Sequence, residues 1–260
     1  MPSSGRESRK PAGRLFLIGG GEDRTAEGEV LSTFVARAGG KRARILVCGA
    51  ALDEPKKTLR EYTKVFEELG AEVIAEEFPD RNAGENQELV DALDRCTALF
   101  MTGGDQLQAT TRMAGTTFSE AVNQMMQKGR LLIAGTSAGA AAVGSVMTIA
   151  GPDDGSVRRS DVELAPGLGY WNHVLVDTHF NERGRVSRLM VVFAQNPAVL
   201  GIGIDENTAV DITTDSQFRV VGKGAVIVFD GRVTHTNAAE AAAEDILAVT
   251  DATVHVLAPD

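Results

Sequence analysis

Five residues, Gly135-Thr136-Ser137-Ala138-Gly139, carry the strongest chemical signal in the chain. An apolar run, Leu131-Leu132-Ile133-Ala134, precedes them, and the small residues Ala140-Ala141-Ala142-Val143-Gly144 follow. Strand, G-x-S-x-G turn and helix is the pattern of a nucleophile elbow, in which a serine sits on a tight turn at a strand end. Small neighbours are needed because the turn is strained and closely packed. The hydroxyl then stands exposed near a helix N-terminus, where backbone N–H groups can stabilise an oxyanion. The competing reading is a buried Gly/Ala-rich turn with an incidental serine.

A serine nucleophile needs a base, and the chain offers His173, His179, His235 and His255. His235 and His255 lie among late strand-like runs and read as surface or core residues. His173 follows Trp171-Asn172 in a turn. His179 closes the run Val174–His179, which places it on the same sheet edge as Ser137. A carboxylate should complete the set by fixing the imidazole tautomer and stabilising the imidazolium. Asp205 and Glu206 follow the apolar run Leu200–Ile204. Asp177 lies two residues before His179, so strand alternation puts it on the same side as the histidine. The residues themselves leave all three open.

Arg183, Arg185 and Arg188 follow the histidine closely. Arg185 and Arg188 share a helix face if the helix has started. The bland alternative is a solvated helix start. Cations there oppose the helix dipole, and the chain is acidic, so clustered guanidiniums point to recognition of carboxylates. Gly103-Gly104-Asp105-Gln106 offers backbone N–H donors for the region beside the serine. Gly19-Gly20-Gly21 is an incomplete G-x-G-x-x-G, because Arg24 holds the third glycine position. There is no G-x-x-x-x-G-K-[ST] and no metal-ligand spacing, so neither a cofactor nor a metal is expected.

Strand and helix signals alternate through the first half. Strands are expected at Arg14–Ile18, Ala43–Cys48, Glu72–Ala75, Ala98–Met101 and Leu131–Ala134. Helices are expected at Glu29–Ala38, from Pro55 to about Leu69, at Asn86–Arg95 and near 117–128. This is the order of an α/β protein with a mostly parallel central sheet and helices on both faces. Ligands of such sheets bind at the carboxyl ends of the strands, where the Gly19–Gly21 turn, Gly103-Gly104 and Ser137 gather. Further on, 151–163 reads as a polar loop and Arg183–Phe193 as a helix. Short runs at Leu200–Ile204, Ala209–Ile212, Phe218–Val221 and Val226–Phe229 suggest an antiparallel extension of the sheet. Asn237–Asp245 has a helical composition, and Val254–Leu257 reads as a last strand.

Composition sets outer bounds. A chain of 260 residues can bury a large core. Its 28 glycines and 5% aromatics suit tight strand–helix turns better than a sandwich. A formal charge of −10 argues against non-specific nucleic-acid binding. Cys48 and Cys96 sit in apolar runs and form neither a disulfide framework nor a metal motif, which suits a cytoplasmic location. Residues 1–12 read as a polar, disordered tail without the apolar stretch of a signal peptide, and 13–260 as one domain. No apolar run is long enough to span a membrane.

Several of these motifs, in one order, resemble the cyanophycinases, within a serine peptidase group that includes aspartyl dipeptidase. They are Gly20-Gly21-Glu22-Asp23, Thr102-Gly103-Gly104-Asp105-Gln106, Gly135–Ala140, Asp177-Thr178-His179-Phe180, the three arginines and Gly203–Ala209. The resemblance implies a triad of Ser137, His179 and Glu206. It implies oxyanion donors at Gly103, Gly104 and Ala138, and a substrate pocket of Gln106, Asp177, Arg183, Arg185 and Arg188. It implies a flavodoxin-like or class I glutamine-amidotransferase-like fold, though amidotransferases have cysteine where this chain has Ser137. The implied activity is exopeptidase cleavage of the poly-aspartate backbone of cyanophycin (multi-L-arginyl-poly-L-aspartate), releasing β-Asp-Arg without a cofactor, by a homodimer. An aspartyl or isoaspartyl dipeptidase of the same group is the alternative, with an Asp-containing peptide as substrate. A non-catalytic binder of Asp/Arg-rich peptides is a third. Thr178 departs from the glutamine expected there in some cyanophycinases.

Overall fold

Apolar runs of five residues, too short for helices and buried on both sides, become the central strands. The computed structural model describes residues 14–151, 155–213, 217–232 and 235–259. In chain order these form β1 (Arg14–Ile18), α1 (Glu29–Ala38), β2 (Arg44–Cys48), α2 (Lys56–Glu68), β3 (Glu72–Glu76), α3 (Gln87–Asp94), β4 (Ala98–Met101), α4 (Gln106–Met113), α5 (Thr117–Gln127) and β5 (Leu132–Thr136). A one-turn helix α6 (Ala138–Ala141), β6 (Val146–Ala150), β7 (Glu163–Pro166), β8 (Val174–Thr178) and α7 (Val186–Gln195) follow. The chain continues through β9 (Leu200–Ile204), β10 (Thr208–Ile212), β11 (Phe218–Gly222), β12 (Val226–Asp230), β13 (His235–Thr236), β14 (Val249–Thr250) and β15 (Thr253–Leu257).

Among the described residues the main sheet has the order β11-β10-β1-β5-β4-β2-β3. The five strands from β1 to β3 in that order run parallel, and β10 joins antiparallel to β1. Alternate side chains of each strand enter opposite cores. Phe16 and Ile18 pack with α1 and α2, while Leu15 and Leu17 pack with α3, α4 and α5. On the first face Phe34, Tyr62, Phe66 and Phe100 touch, with Tyr62 and Phe100 ring centroids 4.7 Å apart. Each such buried ring contributes roughly 1.5–3 kcal/mol of apolar burial.

The late strands divide in a way that departs from the expectation. β10 and β11 do extend the main sheet antiparallel, but β9 and β12 leave it for a second sheet of order β15-β12-β9-β8, in which β8 and β9 are parallel. The cause is visible in the sequence Leu-Gly-Ile-Gly-Ile of β9. Its glycines face α7 and the second residue after β8, and a Cβ at Gly201 or Gly203 would lie 2.5 Å from the ring of Phe193 or Phe180. Bare backbone there lets the aromatic rings lie flat on the second sheet, giving a third core with Leu189, Val192 and Phe229. The other face, through Val174, Val176, Ile202 and Ile204, packs into the core of the main sheet.

Three further details differ from the sequence reading. Residues 106–113 form α4, capped by Asp105, whose side chain accepts from the N–H of Leu107 and Gln108. Residues 237–245 form turns rather than a helix. The segment expected as a polar loop holds a short turn at Arg159–Asp161, while its residues 152–154, like the expected tail 1–12, lie outside the described residues. Among the described residues no helix is long and apolar enough to cross a membrane.

Register brings the functional strand ends together. Ile18 pairs with Thr136, and Met101 with Gly135, in the main sheet. Thr178 pairs with Ile204 in the second. Gly135 is a tight point of this frame, because a Cβ there would lie 2.4 Å from the backbone oxygen of Gly139. Gly135→Ala should therefore destabilise the protein by about 1–3 kcal/mol, the usual cost of overpacking, measured by urea unfolding.

Candidate active site

The turn after β5 puts Ser137 at φ +51° and ψ −117°. That strained backbone is held from both ends. The Ser137 N–H donates to Ile18 O at 3.0 Å, and the Ser137 carbonyl accepts from Ala140 and Ala141 at 3.0 and 2.9 Å. Because α6 is a single turn, its dipole is small, and the nearby N–H of Ala138 matters more than the helix. Gly103 lies against the serine, since a Cβ on it would sit 3.3 Å from Ser137 Cβ. Gly104, at φ +142°, has Ala51 O where a Cβ would be.

His179 follows β8 at φ +50°. Its N–H donates to Gly19 O at 2.8 Å, and the ring reaches across to Ser137. Nε2 lies 2.8 Å from Ser137 Oγ, and Nδ1 lies 2.6 Å from Glu206 Oε1. A carboxylate accepts only, so Nδ1 carries the proton and Nε2 is left as an acceptor facing the hydroxyl. The side chain of His179 is 14% exposed and that of Glu206 41%, so the pair sits at the wall of a cleft.

The three candidate carboxylates are thereby distinguished by geometry. Glu206 alone among them touches the imidazole. Asp205 is buried and turned the other way, accepting from the N–H and Nδ2 of Asn181 and from the N–H of Ala225. Asp177, expected beside His179 by strand alternation and also buried, lines the same cleft but does not reach the imidazole. The left-handed backbone at His179 ends the alternation one residue too early for the rule to hold. Asp177 Oδ1 accepts from Arg185 Nη1 at 3.1 Å and Arg188 Nη2 at 2.6 Å, and Oδ2 accepts from Arg188 Nε at 2.9 Å.

The three arginines are therefore unequal. Arg185 and Arg188 are buried, and Arg188 also donates to Thr148 Oγ1 at 2.8 Å. Arg183 is exposed. Both buried guanidiniums bind the Asp177 carboxylate in a poorly solvated place, where charge interactions are strong. Gln106 Nε2 donates to Thr148 O at 2.7 Å. Ser137, Ala138, Gly104, Gln106, His179 and the arginines line one cleft of about 340 Å³. Ile149–Gly151 at the end of β6 forms its rim. Neither this rim nor Thr148 carried a signal in the sequence, since apolar and hydroxyl residues in a strand have no chemistry of their own.

The profile of peptidase family S51 matches residues 15–221. The chain belongs to peptidase family S51. It is 38% identical over 245 residues to a cyanophycinase from Geminocystis herdmanii, a match covering 94% of this chain and 90% of that protein. A cyanophycinase from a Nostoc species is also 38% identical, with 94% and 82% covered. Among solved structures, a peptidase from an acI-B1 actinobacterium superposes with a TM-score of 0.67 at 22% identity, covering 93% of this chain and 96% of that one. At that identity the likeness is one of fold. Membership in the S51 family makes the chain a serine peptidase.

The cysteines of this S51 chain stand outside the cleft. Burial pushes the Cys48 thiol up to about 12 and the Cys96 thiol up to about 11. Thiolate is the reactive form. Native protein treated with a thiol-alkylating reagent at pH 7.5 should therefore stay unmodified and keep its peptidase activity, whereas protein unfolded in urea should take up label at both cysteines, counted by mass spectrometry.

Proposed function

We propose that the protein is a serine exopeptidase that hydrolyses the poly-aspartate backbone of cyanophycin and releases β-Asp-Arg dipeptides, with Ser137, His179 and Glu206 as its triad. The carrying observation is the pair of short contacts that link Ser137 Oγ to His179 Nε2 and His179 Nδ1 to Glu206. The relatives that match over nearly the whole chain support the substrate class.

In this reading Ser137 stands on a nucleophile elbow and attacks the backbone carbonyl between two aspartyl units. His179 Nε2 takes the hydroxyl proton as the C–O bond forms. Glu206 holds the tautomer and stabilises the imidazolium. The N–H groups of Ala138 and of the Gly103-Gly104 turn receive the developing oxyanion. The imidazolium then gives its proton to the leaving amine as the C–N bond breaks. Water, deprotonated by the same imidazole, releases the acyl group from Ser137.

The substrate presents free carboxylates near the polymer end. Arg183 is exposed and meets them directly, and the Arg185–Arg188 pair supplies a positive wall. Asp177 acts by fixing that pair rather than by meeting the substrate guanidinium, because its oxygens are already engaged. Gln106, held on Thr148, completes the pocket. Three guanidiniums lining one cleft support a substrate that carries several carboxylates. Residues 13–260 act as one domain, in the cytoplasm on the strength of the two free cysteines and as a homodimer on the strength of the family resemblance. A sedimentation mass of a single chain would contradict the dimer.

The decisive experiment is incubation with cyanophycin, with products read by mass spectrometry and isoaspartyl dipeptides as competing substrates. Wild-type protein should release β-Asp-Arg and turn the dipeptides over more slowly. Ser137→Ala should lower kcat by at least about 10³-fold with an unchanged circular dichroism spectrum. Undiminished release from that variant would overturn the triad, and faster turnover of the dipeptides would overturn the substrate.

A further inference from the structure

Behind the cleft lies a carboxylate that the proposed mechanism does not use. Glu22 has a side chain only 1% exposed. Its Oε1 accepts from the hydroxyl of Tyr62, and its Oε2 accepts from Thr136 Oγ1 at 2.7 Å. Arg24, whose Nε is 3.7 Å from Oε1, lies over the Tyr62 ring at 4.6 Å. Burial and the neighbouring Glu22 hold the Tyr62 phenol well above its ordinary range, so it stays a donor. Burying a carboxylate is costly unless it is well partnered. A loop that needed only an anchor could use an apolar side chain.

The position of Glu22 indicates what it holds. It ends the segment Ile18-Gly19-Gly20-Gly21, and three consecutive carbonyls of that segment receive the proposed triad. Ile18 O accepts from the Ser137 N–H, Gly19 O from the His179 N–H, and Gly20 O from the Asn207 N–H, one residue after Glu206. The bare faces of the glycines press on the same groups. A Cβ at Gly20 would lie 2.4 Å from His179 Nε2, and one at Gly21 would lie 2.6 Å from Glu206 Oε2. Glycines can close on these groups but cannot hold themselves in place, because their backbone is the freest of any residue. Thr136 immediately precedes Ser137, so the bond from Thr136 to Glu22 ties the far end of the loop to the strand that carries the serine.

We infer that Glu22, clamped between Thr136 and Tyr62, is a positioning residue that holds the Gly19–Gly21 loop against His179 and Glu206 and so sets the alignment of the imidazole with Ser137. This rests on the triad proposed above. Neither Glu22 nor Tyr62 nor Thr136 lines the cleft, so the clamp acts on the chemical step and not on substrate binding.

The test uses the full-length chain with two readouts, cyanophycin hydrolysis and the labelling rate of Ser137 by a fluorophosphonate, which needs no substrate. Thr136→Val keeps the β-branched shape and removes one donor to Glu22. It should lower kcat and the labelling rate together by about tenfold, with KM within about twofold, as a small misalignment does. Thr136→Ser, which keeps the hydroxyl, should restore both. Tyr62→Phe and Glu22→Gln should act in the same direction. The clamp is overturned if Thr136→Val and Tyr62→Phe keep wild-type kcat and labelling rate, if their losses only track the unfolded fraction seen in thermal melts, or if KM rises while kcat holds. A wild-type Ser137 that takes no label would overturn the triad itself, whereas a labelled wild type with unaffected variants would overturn the role of Glu22 alone.

Discussion

Two sheets meet at the candidate site, and along the Gly19–Gly21 segment they meet through bare backbone. The segment Gly19–Gly21 leaves β1 of the main sheet and runs against the ends of β8 and β9 of the second. A Cβ at Gly19 would lie 2.1 Å from the backbone oxygen of Asp205. Backbone–backbone hydrogen bonds fill that seam in place of side chains. The serine comes from one sheet, and the histidine and glutamate come from the other. Their mutual distance is therefore a property of the seam, and the left-handed backbone at Ser137, His179 and Asn207 is sustained by it. Non-glycine residues in that region cost about 1–3 kcal/mol each. Three of them around one contact indicate that the surrounding hydrogen bonds over-determine the geometry.

The charge arrangement follows a similar logic. An acidic chain concentrates three guanidiniums on one wall, and the buried Asp177 carboxylate receives two of them. Asp177 gives Arg185 and Arg188 fixed orientations, which lowers the entropy lost when they act on an anion. It also keeps two like charges from repelling each other apart. Arg183 stands exposed on the same wall, so the cleft combines oriented guanidiniums with a solvent-facing one.

Much of this could be read from the sequence, and the limits have identifiable causes. The parallel strands were legible because strands buried on both faces are continuous apolar runs. Ser137 and His179 were legible because each follows such a run. The choice between Asp205 and Glu206 was not, since adjacent residues in a turn point in opposite directions and only the turn geometry says which. Asp177 misled because alternation assumes an extended backbone, and His179 leaves it. The division of the late strands into two sheets depended on the paired glycines of β9, whose meaning appears only once Phe180 and Phe193 are seen to fill the space above them. Helix α4 is signalled in the sequence by its cap at Asp105 but not by its eight largely polar residues, which lack a clear apolar period. Asn237–Asp245 had the composition of a helix and lacked an apolar face long enough to stabilise one.

Phe180 carries a consequence beyond packing. It is the residue next to His179, and its ring lies flat on Gly203 in the interior of β9. The packing of the second sheet is thus coupled, through one residue, to the backbone that aims the imidazole at the serine.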